Sequence, residues 1–174
     1  MDVYRGAERL MAMDDAAWAR HANPWSGLTR FTALPLLALA VWSRVWLGWA
    51  ALVPVALAAG WVWLNPRLFG PPATRDHWMS RAVLGERVFL EHRGAVPDHH
   101  RRAAHLLTWA SVPGLALLAW GLWALWWEGV VFGTVLAMLP KTWFCDRMVW
   151  LHDDWVRAGR RVPGRMPGGD DGDA

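Results

Sequence analysis

Residues 106–127 read LLTWASVPGLALLAWGLWALWW, twenty-two residues without a charged side chain. Roughly 20 apolar residues in α-helical form cross the hydrocarbon core of a bilayer, which is about 30 Å thick. A helix of this composition has no polar face to turn toward water. The stretch therefore reads as a membrane-crossing helix, and the chain around it as an all-α integral membrane protein.

Three further apolar stretches flank it. Val45–Leu64 also carries no charge. Val130–Leu151 is long enough to cross, but its second half holds Lys141, Asp146 and Arg147. Leu28–Trp42 is the weakest, since it carries Thr29 and Arg30. It reaches crossing length only from Trp25, with Arg30 snorkelling toward the headgroups. The expectation is a bundle of four transmembrane helices over about 25–43, 45–64, 106–127 and 130–151. Short links at Ser43-Arg44 and Glu128-Gly129 make two helical hairpins. Residues 1–24 form an N-terminal segment, 25–155 the transmembrane domain, and the Gly- and Asp-rich residues 156–174 a disordered tail.

Charge sets the orientation. Arg5, Arg9 and Arg20 precede the first hairpin, seven arginines lie in the central loop, and Arg157, Arg160, Arg161 and Arg165 follow the second. Only Arg44 lies on the opposite side. Positive residues collect on the cytoplasmic side, so both termini and the central loop are expected there, in the inner (plasma) membrane. The tryptophans, 16 of the 174 residues, agree. Trp42, Trp46, Trp49, Trp123, Trp126 and Trp127 would form the outer aromatic belt. Trp25, Trp61, Trp63, Trp143, Trp150 and Trp155 would form the inner one.

Composition removes other classes. The sequence pI near 10 comes from arginines that flank apolar segments, so topology explains it and no nucleic-acid partner is expected. Cys145 is the only cysteine, which rules out an internal disulfide and makes a thiolate zinc site implausible. The first residues lack the short apolar core and cleavage site of a secretory signal. No phosphate loop, GxSxG elbow or dinucleotide glycine pattern occurs.

Residues 74–93, TRDHWMSRAVLGERVFLEHR, can be drawn as an amphipathic helix lying on the inner membrane surface. Trp78, Met79, Ala82, Val83, Gly85, Phe89 and Leu90 share its apolar arc, while Leu84 and Val88 fall on the polar side. Glu86 sits inside the apolar arc. A carboxylate there faces the membrane domain and needs a cation, for which Lys141, Arg30 and Arg147 are the candidates.

The polar residues of the fourth segment are the most informative. At about 1.5 Å per residue from Val130, Lys141 lies roughly 16 Å in, near the bilayer centre. Asp146 and Arg147 lie about 24–26 Å in. An ionised group at the bilayer centre costs about 3 kcal/mol or more, so such residues face the protein interior, find a partner or line a wet cavity. The bland alternative is snorkelling, with Arg147 stacked on Trp143 or Trp150. Arg30 lies at the level of Asp146, which makes a buried Arg30–Asp146 pair a concrete expectation. The candidate polar pocket comprises His21, Asn23, Arg30, Glu86, Lys141, Asp146, Arg147 and His152. Asn23-Pro24 and Asn65-Pro66 bracket the first hairpin and read as punctuation. The seven histidines include no pair four apart, so neither a metal nor another cofactor is expected, although Asp98-His99-His100 through His105 retain some capacity for a metal at the interface.

His21-Ala22-Asn23-Pro24-Trp25-Ser26 with Thr29-Arg30, Asn65-Pro66 with Phe69, Gly85-Glu86-Arg87 and the run Lys141 to Val149 (KTWFCDRMV) carry a family resemblance. Over about residues 14–155 the chain resembles the small bacterial and archaeal membrane proteins grouped as domain of unknown function family 6653. The N-terminal dozen residues and the Asp-rich tail fall outside it. That resemblance implies a multi-helix membrane protein and no known activity. Three functions stay open: a small transporter-like or scaffold unit, an enzyme acting on a lipid or isoprenoid at the inner interface, and a purely structural membrane protein. The partners to expect are the lipid bilayer, an anionic lipid and a second copy of the chain.

Overall fold

A computed structural model describes residues 15–72 and 74–163. Of the expected N-terminal segment 1–24, residues 1–14 lie outside the described residues, and of the expected tail 156–174, residues 164–174 do. All regular structure among the described residues is helical: α1 Asp15–His21, α2 Pro24–Arg30, α3 Ala33–Trp42, α4 Arg44–Leu47, a 3-10 turn Gly48–Ala51, α5 Leu52–Leu68, α6 Trp78–Glu91, α7 Asp98–Ala110, α8 Val112–Trp123 and α9 Trp127–Arg157.

Prolines explain most breaks that the apolar pattern hides. A helical proline lacks its N–H and its ring meets the carbonyl four residues earlier. Pro35 thus opposes helix at Phe31, and α2 and α3 separate at Phe31–Thr32. Pro54 does the same at Ala50, inside the 3-10 turn. Pro113 does so at Trp109, and α7 gives way to α8 at Ser111. Pro140, by contrast, is carried inside α9.

Two stretches are long and apolar enough to cross a membrane, Pro24–Asn65 with 42 residues and Asp98–Trp123 with 26, where the sequence leads one to expect four. The first two expected segments merge into one helical run. The fourth falls short because Glu128, Pro140 and Lys141 dilute its apolar half. The links move as well. Ser43 is only a one-residue turn between α3 and α4, and the reversal comes at Gly48, whose φ of +55° suits a residue without Cβ. The second reversal lies at Ala124–Trp126 with Leu125 at φ +53°, while Glu128 joins the first turn of α9, where the helix dipole favours an acid. Asn65-Pro66 does not end a helix, since α5 runs on to Leu68.

The helices pack as two hairpins joined through α3. Helix α3 pairs with α5 and also touches α8 and α9, and α8 pairs along α9. The α8–α9 contact is backbone to backbone, with Gly133 against Leu118 and Gly114 against Ala137. Arg44 donates to the carbonyl oxygens of Leu122 and Trp123 at the end of α8, a cation where the dipole is negative. The outward surface of this half is apolar: Trp46, Trp49, Leu57, Trp123, Trp127, Phe132 and Leu139 are all exposed.

The buried core lies elsewhere, around α6. That helix packs against α2 and the C-terminal half of α9. Met79, Ala82 and Val83 join Trp18, Ala22, Cys145 and Val149. On the other side Leu84, Val88 and Phe89 join Leu107, Phe144, Met148, Leu151 and Trp155. Helix α6 therefore does not present one apolar arc to a surface, as the sequence suggested. Leu84 and Val88, on the nominally polar side, supply the second buried face. Trp155, expected in the inner belt, is buried and donates to the Arg161 carbonyl at 3.0 Å. Gly85 makes the approach possible, because a Cβ there would collide with the Met148 carbonyl.

Candidate functional site

Helices α1, α2, α6 and α9 line a half-open cavity of about 110 Å³. Its polar lining is His21, Arg30, Glu86 and Lys141, and Phe31, Met79, Val83, Cys145 and Met148 supply much of the rest. Helical phase selects these residues. Lys141, Cys145 and Met148 follow one another at i, i+4 and i+7 along one face of α9. Glu86 reaches the cavity from α6 because it lies in the buried arc, and its carboxylate stands 3.8 Å from the Lys141 ammonium. Lys141 also lies 4.6 Å from the Phe144 ring centroid.

Arg30 is held by a hydrogen-bonded chain whose direction can be worked out. Arg30 Nη1 lies 2.8 Å from His21 Nε2. A guanidinium only donates, so Nε2 accepts and the imidazole is neutral with its proton on Nδ1. Nδ1–H then donates to Ser26 Oγ at 3.2 Å, and Ser26 to Asn65 Oδ1 at 3.3 Å. Asn65 Nδ2 donates to Thr29 Oγ1 at 2.7 Å, and Thr29 to the Trp25 carbonyl at 2.6 Å. His21, Ser26 and Asn65 are all buried. Burial, then the charges of Arg30 and Lys141, lower the His21 pKa from 6.5 to about 3, in keeping with the tautomer. Among the described residues the polar lining is thus an arginine, a lysine, a glutamate and a neutral imidazole.

Of the eight residues singled out from the sequence, these four line the cavity. The other four do not. Asp146 does not pair with Arg30: it is 500° of helix, or 140° net, beyond Lys141, and it accepts from Trp78 Nε1 at 3.2 Å on another face. Matching depth without matching azimuth misplaced it. Arg147 stacks 4.4 Å over Trp150. Asn23 caps α2, accepting from Trp25 N at 3.0 Å, and donates to the Gly70 carbonyl. His152 lies 3.0 Å from Asp153, which also binds Arg81. Sequence reasoning missed Asn65 as a member of the buried chain. The cue was an amide ending an apolar run, masked by the turn meaning of Asn-Pro.

A second titratable group forms where α7 meets the end of α9. One nitrogen each from His99 and His100 and an oxygen of Asp154 lie within 4.8 Å of one another. His100 Nε2 is 3.0 Å from Asp154 Oδ2, and Arg157 takes the other oxygen at 3.1 Å. A guanidinium on the same carboxylate opposes a divalent cation there.

The model of a family described as a family of unknown function, DUF6653, matches residues 5–165 of the chain, a longer span than the motifs alone mark out. No curated protein and no solved structure matches it.

Proposed function

The chain belongs to the family of unknown function DUF6653, and from that premise we propose that it is an integral membrane protein of four spans, termini in the cytoplasm, working as a small transporter-like, ligand-binding unit through the α2–α6–α9 cavity. The observation that carries this is the convergence of Arg30, Glu86 and Lys141, from three separate helices, on one cavity. Charges that served topology alone would snorkel separately to the interface.

Four crossings are supported by the folding-back of the long run. Forty-two helical residues would extend about 63 Å if straight, twice a bilayer core, yet α3 and α5 lie side by side. The exposed apolar shell of α3, α5, α8 and the first half of α9 suits lipid rather than water.

The Ser26–His21 contact argues against a hydrolytic enzyme. A serine nucleophile needs a histidine lone pair to take its proton. Here the lone pair is occupied by Arg30, and the ring's N–H points at Ser26. The network positions Arg30 and does not activate a nucleophile.

Reporter fusions after Arg93 and within Gly48–Ala51 test the topology: the first should report as cytoplasmic and the second as external. The reverse pattern, or both on one side, would sink the four-span arrangement. Lys141→Met should fold and keep its oligomeric state. If Lys141→Met fails to accumulate, the cavity charge serves folding and the ligand-binding reading falls.

A further inference from the structure

We propose that His99 and His100 at the start of α7 and Asp154 near the end of α9 bind a late first-row divalent cation, with zinc as the probe, at a site separate from the cavity.

The donor set selects the ion. Two imidazoles and one carboxylate suit zinc and its neighbours in the row, whereas magnesium and calcium take oxygen ligands. At pH 7.5 an ordinary histidine is mostly neutral, so each ring offers a lone pair.

The distances fit. One nitrogen from each ring and one carboxylate oxygen lie within 4.8 Å of one another. A point in their midst is no more than about 2.8 Å from all three, against zinc–ligand bonds of about 2.0–2.2 Å. Each ligand therefore moves by less than about 1 Å. His100 Nε2 and Asp154 Oδ2 stand 3.0 Å apart, close to the ligand–ligand edge of about 3.3 Å in a zinc tetrahedron. The cation takes the place of the proton between them. His99 supplies the remaining movement, since its ring is exposed and its centroid lies 4.1 Å from that of His100.

The anchor is built in. His100 is only 1% exposed, so its ring is fixed before an ion arrives and little side-chain entropy is lost. Its Nδ1 is buried without a hydrogen-bond partner among the described residues. Moving the ring proton from Nε2 to Nδ1 therefore breaks no bond at Nδ1. Asp154 and His99 face outward and give the ion an entry path. Three protein ligands leave a fourth position for water. Histidines four apart ligate from one helix; here the third ligand comes from another helix, 54 residues beyond His100.

Arg157 opposes the ion through the other oxygen of Asp154, at 3.1 Å. The two side chains of that pair are 76% and 48% exposed, and an exposed ion pair shifts an equilibrium by no more than about fivefold. Three coordinate bonds outweigh it.

The full-length protein, free of any histidine tag and stripped of metal with a chelator, is titrated with zinc chloride in detergent micelles by calorimetry. Its melting temperature is followed by tryptophan fluorescence. One zinc should bind per chain and raise the melting temperature, because the site joins two helices only in the folded state. His99→Ala and Asp154→Asn change exposed side chains; each should melt cooperatively without metal and bind zinc at least tenfold more weakly. Arg157→Gln should tighten zinc by up to about fivefold. Asp98→Asn removes a neighbouring carboxylate outside the group and should bind as wild type does.

Wild-type affinity in both His99→Ala and Asp154→Asn would overturn the site. An equal loss in Asp98→Asn would reduce the effect to surface charge and overturn it too, as would a wild-type titration without saturation. Displacement of zinc by magnesium at equal concentration would overturn the cation class.

Discussion

Lowering the pH from 7.5 to 5.0 should destabilise the wild-type protein through His21 by about 2 kcal/mol, and His21→Gln should lack that component. The neutral ring accepts from Arg30, and its pKa falls from 6.5 to about 3 through burial and the nearby cations. The folded state therefore binds fewer protons than the unfolded state between about pH 3 and 6.5. Stability from the neutral ring is fully present above 6.5 and is lost as pH falls toward the folded value. At pH 5.0 the unfolded value is 1.5 units above the solution, and at about 1.36 kcal/mol per unit this gives about 2 kcal/mol. The figure needs only a folded-state pKa well below 5. The assay is unfolding in mixed micelles, followed by the fluorescence of the 16 tryptophans at both pH values. Gln at position 21 still offers an oxygen to Arg30 and does not titrate. Other carboxylates and histidines act on both proteins and cancel in the difference. If the two proteins lose stability in parallel, His21 is not held neutral and the direction assigned to the hydrogen-bonded chain is wrong.

Gly85→Ala tests the α6–α9 contact. A Cβ would sit 2.7 Å from the Met148 carbonyl carbon and 3.3 Å from its Cα, against about 3.5–4.0 Å for ordinary carbon contacts. The helices must part by about 1 Å, at about 1–3 kcal/mol. The melting temperature should drop by several degrees, and an unchanged value would show that α6 does not approach α9 as closely as described. Asn65→Leu removes the acceptor of Ser26 and a donor to Thr29, and should cost about 1–3 kcal/mol. Combined with Ser26→Ala it should cost less than the sum of the two single changes; strict additivity in that cycle would separate the two residues.

Much of the helical content was legible because it depends on neighbours in sequence. Four apolar runs are present as helix, in pieces set by Pro35, Pro54 and Pro113. Those breaks were readable in principle from the i−4 rule, and apolar continuity hid them. The phase of α6 put Glu86 on a buried arc, and Lys141 was one of three cations available to it. Which cation it meets depends on the azimuth of α9, which no single helix specifies.

Sequence alone thus determined the all-α class, the apolar runs, the arginine asymmetry and the depth of Lys141 along its helix, for these follow from composition and a fixed rise per residue. Tertiary structure decided that α6 is buried on two faces. It decided too that Asp146 turns away from Arg30, and that Asn65 completes a buried chain reaching back to His21. The physical reason is that depth is a property of one helix, whereas convergence needs the relative rotation of several. That rotation is set by how closely backbones can pack, as at Gly85 and Gly133.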